Sequence, residues 1–153
     1  MLTISTFAKF SQASIKANFT RDGDFTMHSS LAPSRRKIVQ AQPDYGPALC
    51  VLGLIDAALG RKDLALDEGR RAIALTPLEK DVINGSLVIQ YFAITAAWTG
   101  DKELASQQLE TGLRAPQASD ALSYGALKLL PFWDPLRGDP RFEKIVASLA
   151  PKQ

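Results

Sequence analysis

A single cysteine, Cys50, stands in a chain of 153 residues, which excludes an intramolecular disulfide and a zinc site built on cysteines. The one histidine, His28, lies in a polar stretch with little pattern, and nothing in the sequence places it beside Cys50. A nucleophilic Cys–His pair needs that neighbour and a lowered thiol pKa. No catalytic residue, no metal and no cofactor is therefore expected. Charge of one sign is lacking as well, since 18 Lys and Arg oppose 16 Asp and Glu. The basic runs are short (Arg35-Arg36-Lys37, Arg61-Lys62, Arg70-Arg71) and form no stripe with aromatic readers, so nucleic acid is not an expected partner. No apolar run approaches the ~18–20 residues that span a bilayer. Residues 1–14 lack the basic start and long apolar stretch of a secretory signal, and a cytoplasmic location is the expectation. The sequons at Asn18 and Asn84 then carry no expectation of glycosylation. What remains, at 46% hydrophobic and 22% charged, is the composition of one ordinary globular domain.

What is present is a repeat. Leu49, Leu52-Gly53, Gly60, Ala65, Ala72 and Pro77 return as Ile89, Phe92-Ala93, Gly100, Ala105, Gly112 and Pro116. Gly60 to Gly100 is 40 positions, and so is Ala65 to Ala105. Self-similarity at this period marks stacked supersecondary units. Apolar residues recur at helical spacing over 46–59, 64–75, 81–99 and 102–114. Gly60 and Gly100 stand as terminators, and Asp63 and Asp101 as caps of the helices that follow. The segment 81–99 is apolar around much of its circumference, which predicts a helix buried between neighbours. Gly53 with Ala65, and Ala93 with Ala105, are small residues twelve apart, placed where two arms cross closely.

Residues 1–33 do not fit the repeat and read as a weak helix carrying Ile4, Phe7 and Phe10, followed by a loop. The repeat domain spans 34–153. Ser34 opens a short helix with Ile38 and Val39, which stops before Pro43. At the other end, Asp134-Pro135 predicts a single turn closed by Gly138, and Asp139-Pro140 a final helix with Phe142, Ile145, Val146 and Leu149 on one side. Phe132, Trp133 and Phe142 are expected to cover the apolar end of the array. Arg137 and Arg141 flank Gly138-Asp139, and bonding to carbonyls or to Asp134 is favoured over an anion site.

The first unit resembles the tetratricopeptide repeat (TPR) in Leu52-Gly53, Ala65, Ala72 and Pro77. Leu49, Asp56 and Gly69 stand where that family carries aromatic residues. A period longer than the usual 34 implies about six additional residues around 78–85, lengthening the second unit's first arm. Gln42-Pro43-Asp44-Tyr45, the run from Leu52 to Lys62, Glu68 to Ala72, and the ending Trp133 to Phe142 are similar to the repeat-bearing tails of bacterial eukaryote-like serine/threonine kinases and related signalling proteins. The kinase signatures themselves are absent from the sequence.

The resemblance implies an all-α, TPR-like stack of two antiparallel helix hairpins with an N-terminal helical flank and a C-terminal capping helix. It also implies a non-enzymatic module that binds a protein or peptide in a signalling role. If the chain acts like the tail of a membrane-anchored kinase, its place is extracytoplasmic. On this reading the first arms line a concave apolar groove of Cys50, Leu54, Ala57 and Ala58 from one unit and Gln90, Ile94, Ala97 and Trp98 from the other. Trp98 and Leu54 are the anchors. Two rivals are weighed beside it: a homodimer formed through the N-terminal edge, and a small-ligand or enzymatic helical domain. A groove filled by Phe7, Phe10 or Phe19 of the chain itself stands on equal terms with an open one.

Overall fold

The computed structural model describes residues 44–115 and 122–151, and these form helices and turns with no strand among them. The order is α1 (Gly46–Ala58), α2 (Lys62–Leu75), α3 (Val82–Trp98), α4 (Lys102–Arg114), α5 (Tyr124–Leu129), a 3-10 turn (Pro131–Leu136) and α6 (Pro140–Ser148). The expected weak helix in 1–33, the helix opened by Ser34, and Pro116 lie outside the described residues.

Each helix starts for a chemical reason. In α1 Pro47 occupies the first turn, where a missing N–H costs nothing. Asp81 caps α3 by accepting from the Asn84 amide at 2.9 Å, and Asp101 caps α4 by accepting from the Leu104 amide at 3.1 Å. The expected cap of α2 is corrected. That helix begins at Lys62, with Arg61 at the capping position and no side-chain cap, so Asp63 lies inside the first turn. There its charge favours the positive end of the helix dipole without closing a hydrogen bond.

The turns α1–α2 and α3–α4 share one backbone pattern. Gly60 and Gly100 adopt φ of 75° and 83°, a left-handed conformation that costs glycine little. Arg61 N–H donates to Asp56 O at 2.8 Å, and Asp101 N–H donates to Ala96 O at 2.9 Å. Gly60 and Gly100 donate to Ala57 O and Ala97 O. These paired bonds are a Schellman motif, which satisfies the last carbonyls of a helix.

Among the described elements α1 packs against α2 and α3, α2 also against α3, and α3 against α4 and the 3-10 turn. The small residues do the expected packing. A Cβ on Gly53 would stand 2.9 Å from Ala65 O, so the backbones of α1 and α2 approach as only glycine allows. On Gly69 a Cβ would lie 2.1 Å from the Phe92 ring. The space beside Gly69 is thus filled by a ring that reaches in from α3. Of the additional length in the second unit, part goes into α3, with 17 residues against 13 in α1.

The C-terminal region is held differently. Trp133 and Phe142 are both buried, with ring centroids 6.4 Å apart. Arg137 Nε donates to Asp134 Oδ1 at 2.6 Å, and its guanidinium also donates to the carbonyls of Lys128 and Leu130. Its role is to close the end of α5. Asp139 caps α6 through the amides of Arg141 and Phe142, as the Asp-Pro pair predicts. The preceding turn starts three residues before the expected Asp134. Pro131 fixes the first position and leaves Leu130 extended, so Pro135 falls inside the turn. Arg141 donates to Glu103, tying α6 to α4.

Candidate partner-binding face

The eight residues expected to line a groove sit on two helices in mutual contact, α1 and α3. The sequence explains why both helices are inner ones. α1 is buried without interruption from Gly46 to Ala57, and α3 from Val88 to Ala97. By contrast, α2 and α4 bury one stripe each, with Lys, Arg, Asp and Glu on the other side.

Within the face, Cys50, Leu54, Ala57, Ile94 and Ala97 are buried, at 1%, 3%, 6%, 3% and 1% exposure. Ala58 and Trp98 are half-buried. The Cys50 thiol donates to Pro47 O at 3.1 Å, and burial pushes its pKa up to about 12. A thiol so far from ionising is no nucleophile at neutral pH.

Polar groups interrupt the apolar surface at three places. Gln90 is 7% exposed, and its Oε1 has no hydrogen-bond donor among the described residues. Asp56 is completely buried and accepts from Arg61 Nη1 at 2.9 Å. Glu68, also buried, reaches toward α1, where its Cβ lies 3.5 Å from the place a Gly53 Cβ would occupy. Asp56 is thus a buried carboxylate that braces the α1–α2 turn. Nothing in the hydrophobic spacing marks this, although Asp56 and Arg61 flank Gly60 closely enough to be paired from sequence.

Trp98, expected as an anchor, is engaged by the chain's own C-terminal region. Its Nε1 donates to Phe132 O at 3.1 Å, and the two rings lie 6.4 Å apart. The contact joins positions 34 residues apart, beyond the reach of any local pattern. Among the described residues no group of three His, Cys, Asp or Glu gathers as a metal would need, and no helix is long and apolar enough to cross a membrane. Comparison with protein families, with curated proteins and with solved structures returns no match.

Proposed function

We propose that this chain is a non-enzymatic protein–protein interaction module of TPR-like build, acting in bacterial cytoplasmic signalling. In this reading α1–α2 and α3–α4 are two stacked antiparallel hairpins, and the first arms, α1 and α3, offer one apolar face to a partner segment. The observation that carries the reading is Gln90. Of the three polar groups that interrupt the face, Gln90 is the amide, with a buried carbonyl oxygen that accepts no hydrogen bond among the described residues. An unsatisfied buried acceptor costs about 1–3 kcal/mol, which a main-chain N–H would recover if a bound segment opens the face far enough to reach it. Affinity comes chiefly from apolar area and changes little with salt.

The test uses a random peptide display library selected on the full chain. Selected peptides are expected to lose about tenfold in affinity on Gln90→Leu, the equivalent of one hydrogen bond, and more on Leu54→Ala. Gln107→Ala on the outer side of α4 is expected to leave binding unchanged. A library that yields no binder, or binders indifferent to positions 54 and 90, overturns the reading.

A further inference from the structure

We propose that Asn84-Gly85, at the start of α3, is a site of slow spontaneous deamidation gated by the Asp81 cap, and that the reaction, once completed, leaves the first turn of α3 open. The dipeptide carries the chemistry. Glycine has no Cβ to shield its backbone nitrogen, so that nitrogen can approach the carbonyl carbon of the preceding side chain. The Gly85 nitrogen forms a bond to Asn84 Cγ, and the Gly85 amide proton leaves with the side-chain nitrogen as ammonia. Water then adds to either carbonyl of the cyclic imide and breaks its bond to nitrogen. One opening gives an aspartyl residue, and the other an isoaspartyl linkage that runs through the side-chain carbon. The sum is an amide and water converted to a carboxylate and ammonium.

The fold requires both halves of the pair. Gly85 is buried, and a Cβ there would stand 2.8 Å from Leu78 Cα, 3.1 Å from Leu78 N and 3.2 Å from Thr76 O. These are backbone atoms of the connection between α2 and α3, and they do not give way as the end of a side chain would. Asn84 is held for another reason. Its main-chain amide and its Nδ2 both donate to the Asp81 carboxylate and close the helix start. Packing asks for glycine, capping asks for a donor beside it, and the reactive dipeptide is the joint result.

The same bonds hold the reaction back. Gly85 N–H donates to Asp81 O at 2.7 Å, the bond that begins the main-chain ladder of α3, and the nitrogen is not free to attack while that bond stands. Nδ2, the leaving group, is tied to Asp81, and the buried Oδ1 of Asn84 accepts no hydrogen bond among the described residues that would polarise the carbonyl. Reaction therefore waits on opening of the first turn, and helix ends are among the first parts of a fold to open. Ile83, 63% exposed, adds little packing to resist it. An isoaspartyl linkage inserts an extra main-chain atom before Gly85, so the hydrogen bond four residues back is out of register and the turn does not close again.

The test follows the full chain in neutral buffer by peptide mass spectrometry, which reads conversion and isoaspartate at position 84, beside hydrogen exchange at the Gly85 amide. Both processes need the same opening. The folded chain is expected to deamidate more slowly than the denaturant-unfolded chain by at least the protection factor of the Gly85 amide. Asp81→Ala is expected to speed both about fivefold, the effect of a lost cap on a local opening. Chains that carry isoaspartate are expected to lose protection at Gly85. A folded chain that deamidates as fast as the unfolded one overturns the proposal. So does an Asp81→Ala rate equal to that of the wild type, or a modified chain that keeps its protection. If Asp81→Ala loses its helical circular dichroism, Asp81→Ser decides. Serine caps as well as aspartate, so the rate is expected to stay within about twofold of the wild type, and a rate equal to that of the unfolded chain overturns the gate.

Discussion

The turns after α1 and after α3 have the same backbone and different chemistry. Both end a helix on a left-handed glycine, and both close it with the same pair of hydrogen bonds. At the first, a buried Asp56 grips Arg61, and α2 starts with no side-chain cap. At the equivalent positions of the second stand Ala96 and Asp101, and Asp101 caps α4 directly. The 40-residue period is therefore conserved in geometry while side chains solve the same problem twice. Backbone bonds fix the shape, and either an ion pair or a cap suffices to hold it.

The comparison breaks most sharply away from the turns, at positions 69 and 109. Glycine at 69 admits the Phe92 ring, whereas at 109 leucine is fully buried. Gly69→Ala is expected to cost about 3 kcal/mol by overpacking, read by denaturant unfolding, and Phe92→Leu in the same chain to restore a good part of it. Should Gly69→Ala be neutral, the ring is not fixed there and the contrast with Leu109 is empty.

The turns themselves come next. Arg61→Ala takes a charge-assisted bond from a buried carboxylate and is expected to cost about 2 kcal/mol. Asp101→Ala removes a cap and is expected to cost about 1 kcal/mol. Equal costs would erase the distinction between the two solutions.

The smallest effect distinguishes the helix starts. The Asn84 amide and side chain hydrogen-bond to Asp81 and hold its carboxyl below the usual aspartate range, whereas Tyr45 before α1 provides no side-chain cap. A carboxylate whose folded pKa is depressed stabilises above its unfolded pKa, and the contribution disappears as pH falls through the folded one. Asp81→Asn keeps the capping geometry and is expected to flatten the acid limb of the stability profile slightly. An unaltered acid limb would show that Asp81 does not contribute to it.

How much of this was legible follows from the range of each interaction. The helices 46–59, 81–99 and 102–114 are set by local periodicity and end within one residue of the observed Gly46–Ala58, Val82–Trp98 and Lys102–Arg114. The cap at Asp101 and the Asp139-Pro140 start are equally local. Asp63 is no cap because α2 starts at Lys62, directly after the closed turn at Gly60 and Arg61, which leaves Asp63 inside the first turn, and local pattern does not fix a helix boundary to the residue. For the face, the sequence identifies α1 and α3 as the apolar inner helices. It could not place Phe132 on Trp98, a contact across 34 residues, nor find the orphaned oxygen of Gln90, which depends on what surrounds it in three dimensions.

The Phe92–Gly69 contact also makes the order of the two units irreversible. A ring on the second unit enters a hollow in the first, and the second unit has leucine at the corresponding place. In a chain shuffled so that the second came first, Leu52, the counterpart of Phe92, would meet the side chain of Leu109 where a hollow now stands, and Gly69 would be left without its ring. Near-identical segments normally risk pairing with the wrong copy, within one molecule or between two. Here a missing side chain serves as an address, and only one neighbour can answer to it.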